Sequence, residues 1–150
     1  MYGRLAHALV QSAPSEGKVR LMLEAGLLEQ AAVDAVAWSE QRLNAHEAAS
    51  ALPLLSRVVG KVAGDEEVPN ALRARLLLLH GRASSEVAPG DARGARSLDQ
   101  AAELADEPLL VEVDLERAAL ARRAGDLARA HELQQRTRQR GPGLTLWQGH

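Results

Sequence analysis

The chain has 150 residues, 46% hydrophobic but only 2% aromatic, with a formal charge of −2 at neutral pH. That length suits one domain or one short repeat array burying roughly 70% of the surface its unfolded chain exposes. The near-neutral charge gives no overall pull toward nucleic acid. The absence of cysteine excludes disulfides, thiolate metal sites and a Cys nucleophile, and no apolar run approaches the roughly 20 residues that span a bilayer.

A cytoplasmic location is the expectation, since Met1 to Val10 contains no uninterrupted signal-type core. The apolar residues are almost all Leu, Ala and Val, side chains that favour close helix packing. Arginine outnumbers lysine heavily, which fits a GC-rich coding sequence.

No stretch alternates apolar and polar residues with β-branched side chains, so the whole chain reads as helix. A first segment runs from Tyr2 to Gln11 and stops at Pro14. A second starts at Ser15 as N-cap and ends at Ala25 with Gly26 as C-cap. A third runs from Leu27 to Leu43, with Asn44 at the turn, and a fourth from Ala45 to Val62, with Pro53 expected to kink it or mark its local start. The fifth spans Pro69 to Ser85, the sixth Asp91 to Ala105, the seventh continues to Ala124, and the eighth ends near Arg140.

The phrase beginning Gly90-Asp91 returns at Gly125-Asp126, 35 residues further on, close to the roughly 34-residue period of a helix-turn-helix repeat. Five residues after each glycine lies a small residue, Ala95 and Ala130, and the same offset from Asn44 gives Ala49. Ala37, Gly81 and Ala118 precede the turns where the first helix of each pair would cross its partner. Two helices joined by a tight turn approach closely only where such small side chains meet.

These residues make the chain resemble the tetratricopeptide repeat family. The match is carried by Gly81, Gly90, Asp91, Ala95, Ala102 and Pro108 in one unit, and by Ala118, Gly125, Asp126, Leu127, Ala130 and Pro142 in the next. Ala37, Asn44 and Ala49 match more weakly. The chain lacks the family's usual aromatics and carries extra residues at Val87 to Pro89. The resemblance implies an all-α fold, an antiparallel helix-pair array forming an α-α superhelix. Its units would be an N-terminal helical pair at 1–26, repeats at 27–64, 65–106 and 107–142, and a tail at 143–150. The order of segments also resembles helical arrays in bacterial STAND-type signalling proteins and multidomain kinases.

No constellation for chemistry stands out. There is no phosphate loop around Lys18 or Lys61, no His-Glu-x-x-His helix among the scattered histidines, and no serine in a Gly-x-Ser-x-Gly elbow. The expectation is therefore no catalytic residue, no metal, no cofactor and no enzyme activity.

Carried over by register, the family's concave face implies a partner-binding groove of Asp34, Trp38, Gln41 and Arg42, then Arg75, Leu78 and Arg82 with Ser85, then Glu112, Leu115, Arg122 and Arg123 with Ala119. Such a groove would suit a peptide bearing carboxylates and an apolar anchor. Seven acidic and no basic residues lie from Asp99 through Glu116, and seven arginines follow from Arg117 onward. Adjacent helices of opposite sign would attract within the chain or between two copies in a homodimer.

The sequence thus reads as a non-catalytic protein–protein interaction or scaffold module of a bacterial signalling protein. Its partner would be a protein, a peptide, or another domain of a larger protein, with no membrane role. The alternatives are nucleic-acid or acidic-partner binding through Arg129, Arg136 and Arg140, which lack a lysine cluster or interleaved aromatics, and a non-catalytic fragment of a kinase or NTPase.

Overall fold

The computed structural model describes residues 13–140. They form α1 (Glu16–Glu24), α2 (Leu28–Asn44), α3 (Ala48–Val62), α4 (Asn70–Val87), α5 (Ala92–Leu104), α6 (Glu107–Arg123) and α7 (Leu127–Arg140), with no strand among the described residues. The fold is all-α, as expected. The segment expected from Tyr2 to Gln11, Pro142 and the tail at 143–150 lie outside the described residues.

Helix starts follow the capping logic of the sequence. The Ser15 side chain accepts from the Lys18 backbone N–H at 3.1 Å, Asp106 from Leu109 at 3.1 Å, and Asp126 from Arg129 at 3.0 Å. Asp91 accepts from Arg93 at 2.9 Å. Each carboxylate or hydroxyl satisfies one amide that the first helical turn leaves without a partner. Pro53 sits inside α3 without ending it. Both Pro53 and Ala49, the residue whose carbonyl loses its ladder partner, are exposed, so that carbonyl is open to solvent.

Helix ends follow a shared rule with one departure. Gly26 and Gly125 take φ of 78° and 84°. Around them Leu27 N–H donates to Met22 C=O at 2.9 Å and Asp126 N–H to Ala121 C=O at 2.8 Å, the six-to-one bond of a left-handed helix stop. The turn after α2 has the same bond, Glu47 N–H to Arg42 C=O at 2.8 Å. There the left-handed residue is His46, φ 60°, and not Asn44, which is the last residue of α2. Gly90 is not left-handed, because the connection at 88–91 is longer than the one around Gly125. The two Gly-Asp phrases are therefore alike in their aspartate caps and unlike in their glycines.

Consecutive helices pack against each other, and α2 also lies against α4 and α4 against α6. Helix α4 has eleven of its eighteen residues buried, so it has no single apolar face. Leu76, Leu79 and Ala83 join the cluster formed by α1, α2 and α3. Ala74, Leu77 and Leu78 join the cluster shared with α5 and α6.

Helices α4 and α5 approach closely where Gly81 meets Gly94 and Leu98. A Cβ on Gly81 would stand 2.5 Å from Leu98 Cγ and 3.2 Å from the Gly94 carbonyl oxygen. Gly94 is the small buried residue here; Ala95, expected at the crossing, is exposed. In the pair α2 and α3 the expected Ala49 is likewise exposed, and Ala37 is only half-buried. Ser39 and Ala51, placed about the left-handed His46 as Ala118 and Ala130 are about Gly125, are buried instead.

Several polar groups within the core are paired, whereas the buried Ser39 hydroxyl has no hydrogen-bond partner among the described residues. Lys18 of α1 reaches Asp34 of α2 at 2.6 Å. Arg73 holds the connection between α3 and α4 by donating to the Val68 and Ala63 carbonyls at 3.0 and 3.2 Å and to Asn70. His80 of α4 lies between Ser97 of α5, 2.6 Å from Nδ1, and Ser56 of α3, 3.1 Å from Nε2. The neutral ring has one N–H, so one serine accepts from it while the other donates to it.

Two predictions follow from this packing. Gly81→Ala forces the fully buried Leu98 to move and should lower the unfolding free energy by about 1–3 kcal/mol. Gly90→Ala, with nothing within 4 Å of the added carbon, should leave it unchanged or slightly higher; urea denaturation checks both.

Burial, joined by the nearby Arg93 charge, pushes the His80 imidazole below its ordinary value of 6.5. The unfolded chain then binds a proton before the folded one does, so stability is intact above pH 6.5 and declines as pH falls below it. Denaturant titrations across that window should show a slope that flattens in His80→Gln.

Candidate functional site

The face of α4 that lies between α2 and α6 forms a groove of about 330 Å³. Its floor is Arg75, Leu78, Leu79 and Arg82 of α4. Glu40 and Asn44 of α2 form one wall, and Glu112, Leu115 and Glu116 of α6 the other. The helical period explains the membership, because residues three or four apart share a face. Positions 75, 78, 79 and 82 continue one stripe, as do 40 and 44, and 112, 115 and 116.

Five residues expected at a groove are brought together here: Arg75, Leu78, Arg82, Glu112 and Leu115. The others go elsewhere. Trp38 is 6% exposed and packs in the core with Ala35 and Leu43, so it is not a groove anchor. The Arg42 guanidinium covers its ring at 5.3 Å and pairs with Glu47 at 2.8 Å, bracing the left-handed turn at His46. Asp34 is held by Lys18 on the side facing α1. Gln41 and Arg122 are exposed but do not line the groove. Arg123 donates to Ser85 at 2.6 Å, tying the end of α6 to α4.

The residues missed were Glu40, Asn44, Leu79 and Glu116. Glu40 precedes the expected Gln41 by one residue, and Asn44 lies one helical turn beyond Glu40 on the same face. Glu116 follows Leu115 on the stripe already identified, so the i, i+3, i+4 pattern from Glu112 could have found it.

Charge in the groove is arranged differently from the expectation. Arg75 makes a two-pronged contact with Glu112, Nη1 to Oε1 at 3.3 Å and Nη2 to Oε2 at 3.1 Å. Arg82 stands 3.8 Å from Glu86. Among the described residues, neither Glu40 nor Glu116 makes a hydrogen bond or a close ion pair. Burial pushes the Glu116 carboxyl above its ordinary value of 4.5, against the opposing pull of Arg82 and Arg123, while Glu86 adds to the rise. Three carboxylates against two guanidiniums leave the lining acidic on balance, where an arginine-rich surface was expected.

A second cleft, of about 310 Å³, lies between α5 and α7 over Leu120, Ala121 and Leu133. Its rim charges are already engaged. Arg117 joins Asp99 at 2.8 Å and Asp114 at 3.2 Å, and the Arg93 guanidinium holds the exposed Asp91 carboxyl down to about 2. The contact of Arg117 with Asp99 is the within-chain attraction that the segregated charges implied. On α7, Arg129 and Arg136 both lean on Glu132, at 3.5 and 3.3 Å, which divides the basic stripe offered to nucleic acid; the Arg140 side chain lies outside the described residues. No group of three or more potential metal ligands occurs among the described residues, and no described helix is long and apolar enough to cross a membrane.

Because the folded state raises the Glu116 carboxyl, its ionisation costs stability. The folded advantage is fully present below pH 4.5 and is lost as pH rises through the folded value. Glu116→Gln should therefore melt higher than the wild type at pH 7, with the gap closing toward pH 4.5; a lower melting temperature at pH 7 would mean the carboxylate is stabilised by its neighbours. No family model, curated protein or solved structure matches this chain.

Proposed function

We propose that the chain is a non-catalytic protein–protein interaction or scaffold module, built as an array of tetratricopeptide-like helix pairs and acting as a regulatory segment of a bacterial signalling protein. The observation that carries this reading is the groove lined jointly by α2, α4 and α6, three helices that are not consecutive in the chain. In helical-repeat proteins the first helices of successive pairs stand side by side and present one continuous binding face. The spans 27–64, 65–106 and 107–142 each contain one helix pair, which fits that arrangement.

Leu115 favours a binding role for this face. It is 50% exposed beside the buried Leu78 and Leu79, so an apolar strip continues from the core to the surface. Exposed apolar groups rimmed by charge are what a partner's side chain covers at a binding centre. The scattered histidines and serines offer no comparable convergence, since His80 and Ser97 are used up between helices.

The test is selection of short peptides displayed on phage against immobilised protein, with counter-selection on Leu115→Gln. That variant should keep its helical circular dichroism and melting temperature within a few degrees, since the side chain is already half in water. Peptides retained by the wild type and lost by the variant are the expected result; no enrichment over an unrelated helical protein would count against the groove as a partner surface.

A further inference from the structure

We propose that the segment taken by this groove is a short peptide with a basic side chain next to an apolar one, the cation seated against Glu40 and Glu116 and the apolar group over Leu78 and Leu115. The inference rests on the groove being the partner surface and names the chemistry of what it holds.

The pairing pattern decides the sign of the partner. Both guanidiniums lining the groove have carboxylate neighbours, Arg75 in a two-pronged contact with Glu112 and Arg82 near Glu86. An acidic peptide would have to break the first of these and add its own charge to a lining that is already carboxylate-rich. A basic side chain breaks no such pair, although it enters beside Arg82 and within reach of Arg123, whose charges already act on Glu116. It enters between walls that carry Glu40 on α2 and Glu116 on α6, neither of which has a close ion pair among the described residues.

Glu116 is the stronger half of the site. Its carboxylate is half-buried, and water that would otherwise solvate it is partly excluded. A guanidinium or ammonium brought against such a group gains more than it would against a fully solvated one. The apolar requirement comes from Leu115, exposed beside the Leu78 and Leu79 floor. Opposite charge across a groove chiefly sets which partners are accepted and which are refused.

The experiment uses fluorescence anisotropy at physiological ionic strength with two pools of labelled ten-residue peptides of equal leucine content, one rich in arginine and the other in glutamate. The arginine pool should bind at least about tenfold more tightly. Glu40→Gln and Glu116→Gln should each weaken it by about three- to tenfold without lowering the melting temperature. Arg75→Gln, by releasing Glu112, should tighten it, an effect that a purely structural role for Arg75 would not produce. Tighter binding of the glutamate pool, or indifference to both glutamate substitutions, overturns the proposal. If the glutamate pool binds and Leu115→Gln abolishes that binding, the groove reading stands while the basic preference falls. Binding of neither pool overturns both.

Discussion

Helix α4 must pack on nearly all sides, and the close approach at Gly81 and Gly94 makes this possible. A side chain at either position would hold α5 away, and Leu98 could no longer close over the missing Cβ. With that approach in place, one helix supplies Leu76, Leu79 and Ala83 to one core cluster and Ala74, Leu77 and Leu78 to the other. The positions of α2 and α6 relative to one another are then set through the helix they share, and so is the width of the groove between them.

The polar residues of α4 divide into two groups for the same reason. Arg73 and His80 point into helix contacts and satisfy carbonyls or hydroxyls that burial would otherwise leave unpaired. Arg75 and Arg82 belong to the groove and pair with carboxylates at its edge. Glu116 departs from this economy, because its position raises the cost of its own charge. Its place on the groove wall, without a close ion pair among the described residues, gives this residue its part in the proposed recognition.

Seven of the eight expected helices, most caps and two of the three left-handed stops were legible in the sequence because Ser15, Asp106, Asp126, Gly26 and Gly125 act within a few residues of themselves. His46 was not legible, since positive φ is uncommon outside glycine and the nearby Asn44 was an equally plausible left-handed residue. The small residues at the crossings were recognised as a class, yet Gly94 was missed in favour of Ala95. The longer connection before α5 shifts the register by one residue, and only the packed helices reveal that shift. Trp38 shows the same limit: helical spacing placed it on a face without telling whether that face meets solvent or the core. The groove's arginines were visible as residues, whereas their engagement by Glu112 and Glu86 depends on neighbouring helices or rotamers that spacing does not specify.

The uneven sharing of neighbours also bears on how the molecule comes apart. Loss of α4 would strip both core clusters at once, so opening there amounts to opening everything the groove is made of. Among the described helices α7 packs chiefly against α6, and its release would leave the α2, α4 and α6 floor standing. The helices that frame the groove therefore depend on α4, whereas α7 can be lost without removing any residue that lines it.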